Sequence, residues 1–351
     1  MTETTSAATP VLVTGATGFL GSHLLPLLLG DSEPVRVLAR QPAPELSARG
    51  VEVVVGDVVS GAGLDGAVEG VKRVFHLAGR VSRDPDAAAS LRRVHVDGAR
   101  TLAAAARRAG VERIVLVSTS GTIAVSHDPE PDCDETAPVP IELIGRWPYY
   151  RSKWLQERAL LADAGDFEVV IVNPSLLLGP GDERLSSTGD VLRFLSGQLS
   201  VIPPGGLNFV DVRDAAAGVV AAMAKGRAGQ RYLLGGHNWS FADFFARLAE
   251  VSGSPAPRLR LARGLYTAGA LLTEEVARQV GREPAVDRIS REMAACYWYF
   301  SSEKATRELG HDPRDGRVTL LETVNWFRGR DSGERRSPDR HGGGGPPPPP
   351  P

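Results

Sequence analysis

Residues 11–21 read VLVTGATGFLG, and this stretch decides the fold. Val11–Val13 is a short β-branched apolar run, which favours a buried strand, and the leucine-rich segment after Gly21 favours a helix. Gly15 permits a tight turn, Gly18 lets the backbone approach a pyrophosphate, and Gly21 lets the helix pack close to the strand. The stretch therefore predicts a dinucleotide-binding strand, turn and helix. The cofactor contacts expected there are Gly15, Thr17, Gly18, Phe19, Leu20 and Gly21.

Further apolar runs follow at the intervals expected of alternating strands and helices. They are Val35–Ala39, Val51–Val55, Val74–Gly79, Arg113–Val117 and Glu168–Val172. Helical patterns lie between several of them, and the alanine-rich segment 91–109 is the clearest. This alternation predicts an α/β protein with a Rossmann-type, doubly wound parallel sheet.

The chain becomes less regular after residue 175. A helix over 213–224 precedes a further strand at 232–234, and the remainder to about residue 328 is mainly helical in pattern. We expect a flexible N-terminus at 1–9, a cofactor-binding domain at 10–175 and a smaller, mainly helical substrate-binding portion at 176–330. About 207–236 of that portion interleaves with the sheet. The Gly/Pro-rich tail at 331–351 is expected to be disordered, because it cannot pack a core.

The composition narrows the possible partners. Of the 351 residues, 42% are hydrophobic and 23% are charged, and the formal net charge is −2. Mixed charges near balance give no electrostatic case for a nucleic acid or a membrane as partner. No run approaches ~18 apolar residues, and no targeting signal precedes the first strand. The two cysteines, Cys133 and Cys296, lie far apart and suggest neither a disulfide framework nor a metal site. We therefore expect a cytoplasmic protein.

Residues at the ends of the strands indicate the cofactor. Arg40 ends the second strand, where an arginine can pair with the 2′-phosphate of NADP, so NADP is favoured over NAD. The competing interpretation of Arg40 is a solvated side chain. Asp57, followed by Val58, is placed to accept from the adenine amino group or to stabilise a simple turn. The segment Leu77-Ala78-Gly79 ends in small residues, which would let the backbone run beside the cofactor, and His76 is expected to be a packed strand residue.

The segment from Trp147 to Asp163 has helical spacing and begins with Pro148, which suits a first turn. Tyr149 and Lys153 stand one turn apart on the same face. An ammonium close to the phenol would lower the pKa of the tyrosine toward the working range. The alternative is an ordinary surface pair. Ser120, at the carboxyl end of the fifth strand, is placed to reach a substrate oxygen, with Ser118 and Thr119 as alternatives.

In this order the motifs resemble the extended short-chain dehydrogenases/reductases over about residues 10–328. The resemblance is carried by the glycine stretch, Asp57, the segment 76–79, Ser120 and Tyr149-x-x-x-Lys153. Segments 138–153, 172–175 and 232–236 look most like the dihydroflavonol-reductase-like branch. That branch includes proteins called hopanoid-associated sugar epimerases.

The resemblance implies roles for the site residues. Tyr149 would be the general acid/base, Lys153 would lower its pKa and hold the nicotinamide ribose, and Ser120 would orient the substrate oxygen. The nicotinamide carboxamide would pass Asn173, Pro174 and Ser175. Family members often form homodimers through helices beside the active site. One departure is His95, which stands where the family commonly has an asparagine with a water-relay or backbone-bracing role.

Three hypotheses for function follow. The first is an NADP-preferring oxidoreductase that interconverts a secondary alcohol and a ketone or aldehyde by hydride transfer, with Tyr149 moving the proton. The second is a nucleotide-sugar epimerase or dehydratase with tightly bound NAD. A basic clamp for a diphosphate would favour it, and Arg193, Arg258 and Arg288 are available. The third is a non-catalytic cofactor-sensing protein with the same fold. Such a protein does not require Ser120, Tyr149 and Lys153 together, so their joint presence disfavours this hypothesis.

Overall fold

The computed structural model describes residues 9–31, 33–129, 133–266 and 288–334. The strands are β1 (Val11–Thr14), β2 (Val35–Ala39), β3 (Glu52–Val55), β4 (Arg73–His76), β5 (Arg113–Val117), β6 (Glu168–Pro174), β7 (Leu176–Leu178), β8 (Val201–Ile202), β9 (Gly206–Asp211), β10 (Arg231–Leu234), β11 (His237–Ser240) and β12 (Leu259–Arg260). The helices are α1 (Phe19–Gly30), α2 (Pro44–Ser47), α3 (Leu64–Val68), α4 (Ala88–Arg92), α5 (Gly98–Ala109), α6 (Ile141–Ile144), α7 (Pro148–Ala162), α8 (Gly189–Leu195), α9 (Val212–Lys225), α10 (Phe241–Ser252), α11 (Arg288–Ala294), α12 (Glu303–Leu309) and α13 (Gly316–Glu334).

A seven-stranded sheet, in the order β10-β6-β5-β4-β1-β2-β3, forms the centre of the described structure. Every neighbouring pair in it is parallel. The strand order reverses between β1 and β4, and ligands of open α/β sheets bind at such a switch point, outside the carboxyl ends of the strands. The doubly wound parallel sheet predicted from the sequence is confirmed.

Helices cover both faces of this sheet, as its apolar strands require. On one face α1 and α9 contribute Leu24, Leu28 and Val219 to a core with Val13 and Val37. On the other face α3, α5 and α7 pack a second core against β4 and β5. A third core, formed by residues of α8, α10 and α13 with β7 and β9, lies in the C-terminal portion.

The elements that the sequence predicted occur with small shifts of their ends. β4 ends at His76, so Leu77–Gly79 form the loop after it rather than the end of the strand. The predicted helix 91–109 begins earlier, with α4, and contains a π turn at Arg93–Asp97. Helix α7 lies between Trp147 and Asp163, as predicted. Helix α13 extends to Glu334, past the predicted start of the tail at residue 331.

The domain boundaries stay a prediction. β10 pairs with β6, so a strand from the C-terminal portion is part of the large sheet. Most of the predicted flexible N-terminus and most of the predicted tail lie outside the described residues, because the structure does not describe 1–8 and 335–351. Among the helices that the structure describes, none combines the length and the apolar character that crossing a bilayer would require.

Candidate active site

The glycine turn after β1 packs directly on the loop after β4. Gly15 has a φ of +77°, and a Cβ there would lie 2.7 Å from the backbone nitrogen of Ala78. A Cβ on Gly21 would overlap the carbonyl oxygen of Gly15, so helix α1 crosses the turn at a distance that only glycine allows. The switch point thus brings together the two segments that the sequence assigned to the cofactor.

The N-terminus of α1 suits a phosphate group. Among the residues that the structure describes, no side chain caps it at Gly18, and its first turn carries no acidic residue. A Cβ added to Gly18 would lie 3.2 Å from the carbonyl oxygen of Gly15. The backbone N–H groups of this turn and the helix dipole favour an anion there. This cradle fits the pyrophosphate of a dinucleotide.

The residues predicted to bind the adenosine end lie after β2 and β3. Arg40 is exposed, and within the described parts of the chain it has neither a hydrogen bond nor an ion pair. The Oδ1 atom of Asp57 accepts from the backbone nitrogens of Val59, at 2.6 Å, and Ser60, at 3.3 Å. The carboxylate therefore stabilises the turn, and its other oxygen is left for a ligand. Val58 is buried against Gly98 of α5.

Lys153 is held at the carboxyl end of β5. Its Nζ atom donates to the carbonyl oxygen of Val117 at 2.8 Å and to Oε1 of Gln156 at 2.6 Å. The residue is only 4% exposed. Burial lowers the pKa of Lys153 to about 8, although the charge of Glu157 acts in the opposite direction. The lysine therefore remains mostly a cation at neutral pH.

The pKa of Tyr149 differs from the sequence-based expectation. We expected Lys153 to lower it, but burial raises it above the usual range of a phenol, and Tyr150 acts in the same direction. Lys153 directs its hydrogen bonds at Val117 and Gln156 instead. The one-turn spacing on α7 is confirmed, but it does not by itself bring the ammonium onto the phenol.

The three candidate hydroxyls after β5 differ in their hydrogen bonds. Ser118 donates its hydroxyl proton to Glu157. The Oγ1 atom of Thr119 accepts from the backbone nitrogen of Gly121 at 3.4 Å. In the described chain the Ser120 hydroxyl has no such partner, and it lies in the short 3-10 turn directly after the β5 end. This geometry favours Ser120 over its two neighbours.

Aromatic rings surround Tyr149. Its ring lies 5.9 Å from that of His95 and 5.0 Å from that of Tyr150. Tyr150 in turn lies 5.0 Å from Trp298, and both rings cover Gly121, where a Cβ would overlap the Tyr150 ring. The sequence singled out neither Tyr150 nor Trp298 for the site, because nothing local links residue 298 to residue 150.

A buried carboxylate, which the sequence analysis missed, ties the site together. Oε1 of Glu157 accepts from Ser118, from Thr122 at 3.0 Å and from Nδ2 of Asn173 at 2.8 Å. Its Oε2 atom pairs with Arg231 of β10 at 3.0 Å. A glutamate one turn after Lys153 was the signal available in the sequence. Glu157 thus joins α7 to the carboxyl ends of β5 and β6 and to β10.

The end of β6 offers buried polar atoms to a ligand. Oδ1 of Asn173 and Oγ of Ser175 are buried, and neither has a hydrogen-bond partner in the described chain. Pro174 is the last residue of β6 and pairs with Leu234 of β10. Buried polar groups are rarely left unpaired, so these two atoms suit an amide of a bound cofactor. The family resemblance predicts that the nicotinamide carboxamide passes these residues.

His95 braces the site from the π turn. Ser152 donates its hydroxyl proton to the carbonyl oxygen of Tyr149 at 2.7 Å, so it accepts from Nδ1 of His95 at 2.8 Å. The other ring nitrogen of His95, Nε2, accepts from the backbone nitrogen of Arg80 at 3.1 Å. A neutral imidazole therefore links the loop after β4 to α7. This contact matches the backbone-bracing role of the asparagine that His95 replaces.

Stability should depend on pH through the two buried histidines. Burial, followed by the charge of Lys153, lowers the pKa of His76 to about 3 and that of His95 to about 2. In the unfolded chain both should titrate near ~6.5, so unfolding takes up protons below that pH. Their contribution is complete above pH ~6.5 and is lost as the pH falls. The loss should be about 2 kcal/mol per histidine on going from pH ~6.5 to ~5.

Urea unfolding at a series of pH values measures this dependence. His95→Asn should remove about half of the slope. Equal slopes for the wild type and the variant would contradict the assignment of His95 as a histidine that is neutral in the folded state.

Fold and site together define a nucleotide-cofactor-binding α/β enzyme. Residues 11–235 match the family model described as the NAD dependent epimerase/dehydratase family. The chain belongs to this family, whose members include NAD(P)-dependent oxidoreductases and epimerases. Within the described residues, no group of three or more histidine, cysteine or acidic side chains could hold a metal ion.

Individual relatives are similar over nearly the whole chain. A putative dihydroflavonol 4-reductase of Synechocystis sp. is 36% identical over 324 residues, which are 90% of this chain and 93% of the relative. Sterol demethylase protein B of Methylococcus capsulatus is 36% identical over 326 residues, 91% of this chain and 98% of that protein. The solved structure of gox2253 is 34% identical, with a TM-score of 0.78, and covers 92% of this chain and 98% of its own.

Proposed function

We propose that this protein is an NAD(P)-dependent oxidoreductase that interconverts a secondary alcohol and a ketone or aldehyde. The observation that carries the proposal is the aromatic side of the site, where the Tyr150 ring lies 5.0 Å from the Tyr149 ring and packs with Trp298 over Gly121, the residue after Ser120. An uncharged carbonyl compound can enter such surroundings without leaving a charge unpaired. The relatives that are 36% identical, one of them named a reductase, support the same class.

The chain's own groups would bind the substrate and move one proton. Ser120 would donate a hydrogen bond to the substrate oxygen and orient it. In reduction Tyr149 would give its phenolic proton to that oxygen, and in oxidation it would take a proton from the hydroxyl. Lys153 would hold a positive charge beside this exchange, which favours the phenolate form. The bound nicotinamide would supply the redox chemistry.

The residues that would hold the cofactor come from the segments after β1, β3 and β4, from α7 and from the end of β6. The glycine turn and the N-terminus of α1 would bind the pyrophosphate, Asp57 and Val58 the adenine, and Leu77–Gly79 the middle of the molecule. Lys153 would hold the nicotinamide ribose, and Asn173–Ser175 its carboxamide. This assignment is supported by the glycine cradle and by the unpaired atoms of Asn173 and Ser175.

NADP is the cofactor that we propose, because Arg40 is an exposed guanidinium at the end of β2. Arg40→Asp should weaken NADPH binding by about tenfold or more and strengthen NADH binding, because charge repulsion replaces a phosphate contact. Fluorescence titration with each nucleotide measures both effects. Arg49→Asp changes the charge equally at another exposed position and is the matched control. An equal loss of NADPH affinity in both variants would show that Arg40 does not contact the 2′-phosphate.

An epimerase or dehydratase is the second candidate. Solved structures with this fold include a UDP-glucose 4-epimerase from Thermotoga maritima, at 20% identity and a TM-score of 0.69, so the likeness concerns the fold alone. Two of the three candidate arginines for a diphosphate clamp already pair with carboxylates. Arg193 pairs with Asp190, and Arg288 pairs with Glu292, each within its own helix. Burial raises the pKa of Tyr150, the Arg83 charge acts in the opposite direction, and Arg83 also pairs with Asp190.

The two candidates differ in how the cofactor is held. We would purify the protein without added nucleotide, identify any retained cofactor by mass spectrometry, and then titrate NADPH and NADH. Tightly retained NAD together with no turnover of ketones, aldehydes or secondary alcohols would favour the epimerase. An empty protein that binds NADPH and reduces ketones or aldehydes would support the oxidoreductase.

Two broader features belong to the same proposal. A cytoplasmic location agrees with two free cysteines, Cys133 and Cys296. A homodimer through the helices beside the site, including α7, is expected from the family resemblance. Light scattering in solution distinguishes a dimer from a monomer of 37.3 kDa.

A further inference from the structure

A chain of hydrogen bonds between buried polar side chains ends at Lys153. Its members are Thr14, His76, Gln156 and Lys153, and we call it the Lys153 support chain. Oε1 of Gln156 lies 2.6 Å from Nζ of Lys153, and Nε2 of Gln156 lies 3.2 Å from Nε2 of His76. Nδ1 of His76 then lies 2.8 Å from Oγ1 of Thr14, the residue before the glycine turn. All four side chains are buried.

The proton positions in this chain follow from the groups themselves. An ammonium only donates, so the Gln156 atom beside Lys153 must be the carbonyl oxygen. The amide nitrogen of Gln156 therefore faces His76 and donates to its Nε2 atom. The ring proton of His76 must then lie on Nδ1 and point to Thr14, which also accepts from the backbone nitrogen of Ala78 at 3.2 Å. One arrangement of protons satisfies each of these contacts.

The arrangement fixes where the ammonium points. Two of its three protons are taken by neutral acceptors, the Val117 carbonyl and the Gln156 amide. Because the group is tetrahedral, these two hydrogen bonds set the direction of the third proton. Neutral acceptors also satisfy the ammonium without cancelling its charge. A carboxylate in the place of Gln156 would hold the lysine equally well but would neutralise it.

We propose that Gln156 and His76 are positioning residues, which hold Lys153 in place and leave its positive charge available to the reacting groups. The part of this inference that concerns catalysis rests on the proposed function, whereas the part that concerns Lys153 itself does not. Neither Gln156 nor His76 is a catalytic residue, because each acts through Lys153. The sequence predicts a packed strand residue at His76, and the burial of this side chain agrees with that.

The other ionisable groups around Lys153 must be counted in any test. His76 faces it from β4 and His95 from the π turn, and the charge of Lys153 acts on the pKa of both. Glu157 acts on Lys153 from the next turn of α7, and Tyr149 precedes it by one turn. Both histidines are neutral near pH ~7. Gln156→Met therefore leaves the other nearby charges as they are, whereas Gln156→Glu also puts a carboxylate beside His76 and raises the pKa of that histidine.

The test is a direct titration of Lys153 by NMR. The chain contains four lysines, so lysine labelled at its ε-carbon gives few signals, and Lys153→Met identifies the one of interest. In the wild type its pKa should be near 8. Gln156→Glu should raise the pKa by about one unit or more, because a carboxylate favours the charged form. Gln156→Met should lower it, because the buried ammonium loses an acceptor.

Two further variants make the test specific. His76→Leu should move the pKa of Lys153 in the same direction as Gln156→Met, and His76→Gln, whose oxygen can accept from Gln156, should restore it. If Gln156→Met does not fold, the histidine pair carries the test. Arg158→Gln on the exposed face of α7 is the matched control and should leave Lys153 unchanged. An unchanged pKa of Lys153 in folded Gln156→Glu would overturn the proposal.

Turnover provides the second readout. Gln156→Met should lower kcat by roughly tenfold to a hundredfold with little change in KM for the substrate, as expected of misplaced catalytic groups. Gln156→Glu should move the pH profile of alcohol oxidation to higher pH, because a neutralised Lys153 supports the phenolate less. If the variants shift the pKa of Lys153 but the protein has no redox activity, the Lys153 support chain stands and the proposed function is wrong. Shifted signals with unchanged turnover would overturn the catalytic part.

Discussion

Replacing Tyr149 with phenylalanine is expected to lower turnover by about a hundredfold or more, because positioned proton transfer typically contributes about 10²–10⁴-fold. Cofactor affinity should change little, since the hydroxyl has no hydrogen bond within the described structure and the ring is retained. Initial rates with a ketone or aldehyde substrate, together with NADPH titration, measure the two effects separately.

Tyr150→Phe is the matched control for this prediction. Tyr150 is the next residue on the same helix, and burial also raises its pKa, to about 12. Removing its hydroxyl should leave most of the turnover, because its ring packs on Gly121 and Trp298. If Tyr149→Phe keeps most of its activity, or if both variants lose it equally, Tyr149 is not the general acid/base.

Replacing Glu157 with leucine should lower the free energy of unfolding by about 3–5 kcal/mol, as removing one partner of a buried ion pair commonly does. The change leaves Arg231 without its partner and Ser118, Thr122 and Asn173 without their shared acceptor. Urea unfolding followed by circular dichroism measures the loss. Cofactor affinity should fall as well, because Asn173 is no longer held.

Glu112→Gln is the comparison for the stability effect. Glu112 pairs with Lys72, but the two side chains are 68% and 48% exposed. Exposed pairs contribute roughly 0–1 kcal/mol, so this variant should unfold almost like the wild type. A loss at Glu157 no larger than that at Glu112 would show that the buried carboxylate does not hold the site together.

The fold could be predicted because its signals are local. The glycine turn, the β-branched runs and the start of α7 at Pro148 are each encoded within a few residues, and the structure has these elements close to the predicted ends. The π turn around His95 escaped prediction, because one extra residue in a helical turn scarcely alters an alanine-rich pattern. The consequence is large for the site, since this turn directs His95 at Ser152 and Arg80.

The chemistry around the site was less predictable, because it depends on distant contacts. The hydrogen-bond donors to Glu157 are separated from it in the sequence by 39, 35, 16 and 74 positions. The sequence correctly put Lys153 one turn from Tyr149, but tertiary contacts direct the ammonium toward Val117 and Gln156. Spacing along a helix determines which residues share a face, but it does not determine which neighbour a long side chain hydrogen-bonds.

The position of β10 has a consequence for biosynthesis. β6 pairs with β5 on one side and with β10 on the other, and β10 is made only after α8, β9 and α9. A growing chain that has passed Pro174 therefore carries an open strand edge, and Glu157 still lacks Arg231. Such edges are sites of aggregation until a partner strand covers them. A gene cut between β6 and β10 should thus yield an N-terminal fragment that aggregates more readily than the whole chain.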